Sequence, residues 1–460
     1  MHEPAFTSIN PATGLRIADY RQDDSDTIAA KLVRLSSSWT EWAGKTVHER
    51  AACIQQLADA LERDCEALAQ LMTAEMGKPI RQARAEIEKC ALLCRHTAMH
   101  GVTSLQPQTV DLDGRKALIR FDPQGVILAI MPWNFPFWQV IRFAIPVLLS
   151  GNAVAIKPAT STCGCAIALL QLMHQTGITA CDCLFTDEPQ TAEIMADKRI
   201  TGISLTGSRE AGRSVAAQAG RHLKKCVLEL GGCDPYLVLA DADLTLAAEK
   251  CVASRFNNSG QTCIAAKRWI VVDAVYDEFR QRVITLIKAL VSGNPAQDET
   301  AIGPIARADL RERLHRQVRQ SITAGASRIL GGIIPPGDGF YYPPTLLEGV
   351  EPGMPAFDDE LFGPVASLIR AADEVAAIRL ANHSSLGLGA AIFSADRNRA
   401  MTIAARLEAG NIAINDSVSS DPRLPFGGIK ESGYGRELGA FGMMEFVNIK
   451  TVVCGRASNG

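Results

Sequence analysis

The chain has 460 residues, 47% of them hydrophobic and 21% charged, and 47 Lys and Arg against 50 Asp and Glu leave a net charge of −3. These proportions exclude a disordered or fibrous protein, and the length exceeds what one hydrophobic core fills, so two or three lobes are expected. A nearly balanced charge, with no Lys/Arg block interleaved with aromatics, argues against a nucleic-acid partner and for a small molecule.

The segment Met1 to Thr13 is polar and lacks the basic-then-apolar layout of a secretory signal, so the expected location is the cytoplasm. Thirteen cysteines in such a chain read as reduced thiols rather than a disulfide framework. The pairs Cys163/Cys165 and Cys181/Cys183 are spaced more tightly than zinc ligands usually are, and no metal is expected.

In chain order, Ile54, Leu57, Leu61, Cys65, Leu68 and Leu71 recur every three or four positions and predict one amphipathic helix between Val47 and Met76, stopped by Gly77 and Pro79. The most apolar stretch, Val126 to Ile156, is interrupted by Pro132, Asn134, Pro136, Arg142, Pro146 and Asn152, so it is no membrane span. It reads as a buried strand (Gly125 to Met131), a turn, a buried helix (Phe137 to Leu149) and a second strand (Ala153 to Lys157). Helical patterns from Gly164 to His174 and from Arg209 to Ala219 then alternate with strand-like runs from Gly202 to Leu205 and from Lys225 to Leu230. That alternation predicts βαβ units and a parallel sheet. After Gly232 the pattern restarts, with a helix from Leu244 to Ala253, a strand from Arg268 to Val272 and a helix from Tyr276 to Leu290, which reads as a second α/β lobe. Gly331 to Tyr342 and Asp421 to Gly435 are Gly/Pro-rich and predict loops.

Three short motifs carry chemistry. In Phe256-Asn257-Asn258-Ser259-Gly260-Gln261-Thr262-Cys263, the cysteine follows a polar, Gly-containing turn instead of sitting in an apolar stripe. Such a thiol is a candidate nucleophile toward carbonyl carbon, although an isolated cysteine is more often a small buried hydrophobe. Leu228-Glu229-Leu230-Gly231-Gly232 places a carboxylate at a strand end with apolar flanks that raise its pKa, which suits a general base. A surface strand-end Glu is the commoner case. Pro132-Trp133-Asn134-Phe135-Pro136 fixes an amide after a buried strand, where its NH2 can donate to an oxyanion or merely satisfy the turn.

The three motifs, in this order and spacing, closely resemble those of the aldehyde dehydrogenase superfamily. Asn10-Pro11-Ala12-Thr13-Gly14, Glu75-Met76-Gly77-Lys78-Pro79, Glu360-Leu361-Phe362-Gly363-Pro364 and Pro425-Phe426-Gly427-Gly428-Ile429-Lys430-Glu431-Ser432-Gly433 extend the resemblance over nearly the whole chain. It implies an α/β fold with three parts. Residues 1–104 and 122–231 would form a Rossmann-like NAD(P)-binding domain, 232–424 a catalytic domain, and 105–121 with 437–456 a small β oligomerisation element. The element implies a homodimer or homotetramer. The resemblance also implies that Cys263 is the nucleophile, that Asn134 and the Cys263 N–H hold the oxyanion, and that Glu229 activates the water that cleaves a thioester.

No G-x-G-x-x-G is present, but the family uses a variant. By resemblance, Gly207 and Ser208 meet the pyrophosphate at a helix N-terminus, Lys157 the adenosine ribose and Glu360 the nicotinamide ribose, with Phe362 packing nearby. Met131, Pro132, Trp133 and Leu230 complete that set. Many NAD-preferring relatives carry Glu where this chain has Thr160, so the cofactor is NAD or NADP.

Arg142, eight residues after Asn134 in an apolar predicted helix, wants an anion. The chain is similar here to succinate semialdehyde dehydrogenases, in which this arginine binds the distal substrate carboxylate; the alternative is an internal salt bridge. A second arginine usual in those enzymes is Asn257 here. Arg423 is the candidate for the missing charge, Ser419 and Ser420 for a hydroxyl, and Trp138 lines the same substrate site. Succinate semialdehyde is therefore the expected substrate. The alternatives are a broad-specificity, another semialdehyde or a CoA-acylating aldehyde dehydrogenase, and outside catalysis an inactive scaffold; a retained Glu229 argues for hydrolysis.

Overall fold

Five strands that are apolar on both faces build one sheet. Val126–Ile130, Ala153–Lys157, Cys181–Cys183, Ile200–Thr206 and Lys225–Glu229 are all parallel, and the short Gly433–Tyr434 pairs antiparallel with Lys225–Glu229. Near-continuous burial along Val126–Ile130 and Ile200–Thr206 is what a parallel sheet covered by helices requires. In space the chain order of the five parallel strands runs third, second, first, fourth, fifth. The order reverses between Val126–Ile130 and Ile200–Thr206, and a crevice opens beyond the carboxyl ends of strands at such a switch. Met131 to Asn134 and Gly207 to Ser208 follow directly from those two strands.

A second sheet of seven strands runs Ser327–Leu330, Thr345–Glu348, Val365–Ala371, Arg268–Val272, Pro235–Val238, Gly389–Phe393 and Asn411–Ile414, with only the outer Ser327–Leu330 antiparallel. A third, antiparallel sheet joins Gln108–Leu112, Arg115–Pro123 and Val447–Val453. It is mostly exposed; Val110, Ile449, Val452 and Val453 face solvent. The computed structural model describes residues 5–113 and 115–455. Residues 1–4, 114 and 456–460 lie outside the described residues, and with them the start of the N-terminal segment and the last position assigned to the oligomerisation element.

Most predicted elements are present with ends shifted by a few residues, and two readings need correction. The single helix expected between Val47 and Met76 is two, Val47–Arg63 and Cys65–Met76, meeting at Asp64, which leaves helical geometry at φ −99° and ψ 12°. Both pieces present the same apolar face, so the periodicity runs through the break. The expected loop from Asp421 to Gly435 contains two short strands, Ile429–Lys430 and Gly433–Tyr434. A 25-residue helix, Ile80–Ser104, was not predicted and packs against Val47–Arg63 and the helix Trp138–Leu149. No helix among the described residues is long and apolar enough to cross a membrane. All thirteen cysteines are free.

Candidate active site

Cys263 is presented by a left-handed turn. Asn258, Ser259 and Gly260 have φ values of 52°, 53° and 74°, conformations that non-glycine residues adopt only when their surroundings hold them. The restraints are visible. Asn258 Nδ2 donates to Asn134 O at 2.8 Å, Ser259 Oγ bridges to Gly303 O and N at 3.1 and 2.9 Å, and Gln261 Oε1 accepts from Ala306 N at 2.9 Å. The buried Arg255 donates to the carbonyls of Val365 at 2.5 Å, Leu361 at 2.8 Å and Gly260 at 3.3 Å, tying this turn to the segment after Glu360. At Gly260 a Cβ would lie 2.3 Å from Gly363 O. Gly260→Ala therefore meets both a left-handed backbone and a backbone clash, and is expected to cost more than about 2 kcal/mol. A thermal melt of the variant checks this, and an unchanged midpoint would contradict it.

Glu229 ends its strand buried, 2% exposed, with one carboxylate oxygen held and the other free. Oε2 accepts from Arg142 Nη2 at 3.3 Å, whereas Oε1 has no hydrogen-bond partner among the described residues. Burial pushes the Glu229 carboxyl up, Arg142 opposes that, and the nearby Glu437 reinforces it. The Cys263 thiol is also pushed well up, first by burial and then by Glu229. Asn134, 3% exposed, donates through Nδ2 to Gln261 O at 3.0 Å, which fixes the amide and leaves its second N–H. The Cys263 N–H makes no hydrogen bond among the described residues. Two donors thus stand beside a candidate nucleophile and a buried carboxylate with a free oxygen, the layout acyl chemistry needs.

Cys263 also lies where two cavities meet. One is lined by Pro132, Trp133, Asn134, Gly207, Ser208, Glu229, Leu230, Glu360 and Phe362, together with Cys263 itself. Seven of the ten residues expected to bind the cofactor therefore converge. Ser208 caps the helix Arg209–Arg221, its Oγ accepting from Ala211 N at 3.2 Å, and the space over Gly207 holds only Leu205, at 3.5 Å from a Cβ built there. An open glycine at the start of a 13-residue helix fits a pyrophosphate. Phe362 meets Trp133 edge-on at 5.7 Å between ring centres. Met131, Lys157 and Thr160 do not line this cavity; they sit at and just beyond the carboxyl ends of adjacent strands, where Met131 N donates to Lys157 O at 3.0 Å.

A profile of the Aldehyde dehydrogenase family matches residues 2–452. The chain belongs to this family. Among its relatives, a succinate semialdehyde dehydrogenase [NAD(P)+] of Escherichia coli is 45% identical, the match covering 97% of each chain. A succinate-semialdehyde dehydrogenase [NADP(+)] of Deinococcus radiodurans is 42% identical over 98% of this chain and 95% of its own. Among solved structures, succinic semialdehyde dehydrogenase from Streptococcus pyogenes in complex with NADP+ superimposes with a TM-score of 0.95 at 34% identity, covering 97% of this chain and 99% of that one. The chain is thus an NAD(P)-dependent aldehyde dehydrogenase with that family's α/β fold.

The second cavity, about 370 Å³, opens on the other side of Cys263 and is lined by Lys89, Trp138, Arg142, Ser419, Ser420 and Phe426 among others. Two expectations for an aldehyde dehydrogenase substrate site change here. Arg423 does not reach it: its side chain is 75% exposed, pairs with Asp421 at 2.7 Å and borders a separate small cavity beside His96 and His100. Arg142 reaches the wall, but its guanidinium is ion-paired to both Glu437 and Glu229, the internal salt bridge that was the alternative reading. Sequence reasoning missed several residues that shape the site. Lys267 Nζ donates to Thr262 O at 3.0 Å and Cys263 O at 2.6 Å and pairs with Glu360 at 3.1 Å, linking nucleophile and cofactor sides. Glu360 in turn presses on Gly231, where a Cβ would lie 2.1 Å from its Oε2. Glu437 and Lys89 were also missed. The signal at Glu437 was a lone acid after a Gly-rich loop; Lys89 lies in the unpredicted helix.

Proposed function

We propose that this aldehyde dehydrogenase oxidises succinate semialdehyde to succinate, with NAD or NADP as acceptor. The observation that carries this reading is the position of Cys263 between the two cavities, one of the family's cofactor type and the other walled by Lys89, Arg142, Ser419 and Ser420. Cationic and hydroxyl groups suit an aldehyde that carries a carboxylate, and relatives at 45% and 42% identity bear the corresponding names.

Glu229, through its free oxygen, receives the thiol proton, and the Cys263 thiolate adds to the aldehyde carbon. The resulting thiohemiacetal oxygen is held by the second Asn134 N–H and the Cys263 N–H. Gly207, Ser208, Lys157, Glu360 and Phe362 are assigned to hold NAD(P)+, with Met131, Pro132, Trp133, Thr160 and Leu230 around it. Bound there, NAD(P)+ would supply the hydride acceptor for that carbon, whose oxidation leaves a thioester on Cys263. Once Glu229 has released that first proton to solvent, it takes a proton from water, the hydroxide adds to the thioester carbon, and the carbon–sulfur bond breaks to release the acid and the Cys263 thiolate.

The same reading assigns residues 1–104 and 122–231 to the cofactor lobe, 232–424 to the catalytic lobe, and 105–121 with 437–456 to assembly as a homodimer or homotetramer in the cytoplasm. The open edges and exposed apolar side chains of the three-stranded sheet support the assembly role. The decisive assay is kcat/KM for succinate semialdehyde, glutarate semialdehyde and butanal, each with NAD and NADP. The charged four-carbon aldehyde is expected to be preferred over butanal by more than about tenfold, since a charge-assisted hydrogen bond contributes roughly 1.5–3 kcal/mol. Equal values for butanal would leave a general aldehyde dehydrogenase.

A further inference from the structure

The cavity beyond Cys263 is lined by three cations in different states, of which Lys78 is paired with Glu86. Arg142 is committed, since Glu437 and Glu229 both pair with it and Phe426 stacks at 4.9 Å from its guanidinium carbon. Lys89 has no such commitment. Its half-buried Nζ donates to Ser420 Oγ at 2.8 Å, stands 4.2 Å from the centre of the Trp138 ring, and has no ion-pair partner among the described residues.

The acids around Lys89 are already engaged or turned away. Glu86, three positions earlier on the same helix, pairs with the buried Lys78 and accepts from Phe137 N at 3.0 Å and Trp138 N at 2.9 Å. Glu88 faces solvent, and Asp421 is held by Arg423. Burial and the neighbouring Arg142 push the Lys89 ammonium down to about 8. A partly desolvated ammonium with only a hydroxyl and a ring face for company is costly, and an incoming carboxylate removes that cost.

The supporting groups are prepared for one. Glu86 caps the start of the helix that carries Trp138, which fixes the ring under Lys89. Ser420, 7% exposed, accepts from Lys89 and so keeps its own O–H to donate. Asn257, neutral, lines the same cavity and adds no charge.

We infer that Lys89 Nζ and the Ser420 hydroxyl together receive the distal carboxylate of the substrate, and that Arg142 is instead a positioning residue for Glu229. This rests on the succinate semialdehyde reading. It moves the specificity-determining cation from the helix Trp138–Leu149 to the helix Ile80–Ser104.

The test compares wild type, Lys89→Met, Lys89→Arg, Ser420→Ala and Arg142→Met on succinate semialdehyde and butanal. In Lys89→Met the ratio of kcat/KM for succinate semialdehyde to that for butanal is expected to fall by at least about tenfold, mainly through KM. Lys89→Arg should restore most of it, Ser420→Ala should show a smaller fall in the same direction, and inhibition by added succinate should weaken in parallel. Arg142→Met should lower kcat for both aldehydes and keep the ratio. An unchanged ratio in Lys89→Met, or a ratio that collapses only in Arg142→Met, overturns the inference. Equal loss on both aldehydes in Lys89→Met and Lys89→Arg also overturns it, by giving Lys89 a role in the fold. If wild type itself does not discriminate, the substrate reading falls first; if it discriminates and Lys89→Met does so equally, only the Lys89 assignment falls.

Discussion

Cys263→Ala is expected to lower the steady-state rate of NAD(P)H formation by at least about 10⁴-fold, the scale on which removing an enzyme nucleophile acts. The expectation is specific to this thiol among thirteen. Cys90, Cys94, Cys165, Cys181 and Cys251 are buried in the core and line neither cavity, so none can replace it. Among the cysteines, Cys263 alone lines both cavities. Its turn does not depend on the sulfur: Lys267 holds the carbonyls of Thr262 and Cys263, and the Asn258 and Ser259 side chains hold the residues before it. The variant should therefore melt within a few degrees of wild type while losing turnover. Absorbance at the reduced-nicotinamide band and a thermal melt decide the matter together. Residual activity above about one part in a hundred would place the nucleophile on another residue.

The cofactor side of the site was legible in the sequence because it is built from the ends of strands. Val126–Ile130, Ile200–Thr206 and Lys225–Glu229 are short apolar runs bounded by Pro or Gly, and the residues that follow them are the ones that line the cavity. Glu229, Asn134 and Gly207 could be picked out for that reason. The substrate side was less legible. Its wall combines the helix Ile80–Ser104, the helix Trp138–Leu149 and the segment Ser417 to Ser420, far apart in the chain and joined only by tertiary packing. The helix Ile80–Ser104 carries charged residues at many positions, and nothing in the sequence sets Lys89 apart from them. What sets it apart, the face of Trp138 beneath it and the absence of a carboxylate partner among the described residues, exists only in three dimensions. Arg142 shows the reverse. Its demand for an anion was visible from its apolar surroundings, but the partner that meets it, Glu437, lies 295 positions away in a segment read only for assembly.

That ion pair also shapes what Glu229 does. With Oε2 against Arg142 and Oε1 free, the carboxylate is oriented toward Cys263 and the water that follows the hydride step. Glu229→Gln removes the base but also removes the negative charge that raises the Cys263 thiol. Acylation is therefore expected to survive, slower than in wild type yet complete, whereas hydrolysis of the thioester should fall by about 10²–10⁴-fold. Rapid mixing should show a burst of one NAD(P)H per active site and then near-arrest, with thioacyl-enzyme detectable by intact mass. Continued turnover at the wild-type rate would assign the base elsewhere, and a folded variant with neither burst nor turnover would give Glu229 an obligatory part in forming the thiolate. The pH dependence follows from the same geometry. Burial and Glu437 raise the Glu229 carboxyl, and the deprotonated form is the active base, so kcat limited by hydrolysis should rise with pH through a value above the ordinary carboxyl range of about 4.3. Arg142→Met withdraws the cation that lowers it, which should move that limb to higher pH; Glu229→Gln should abolish it.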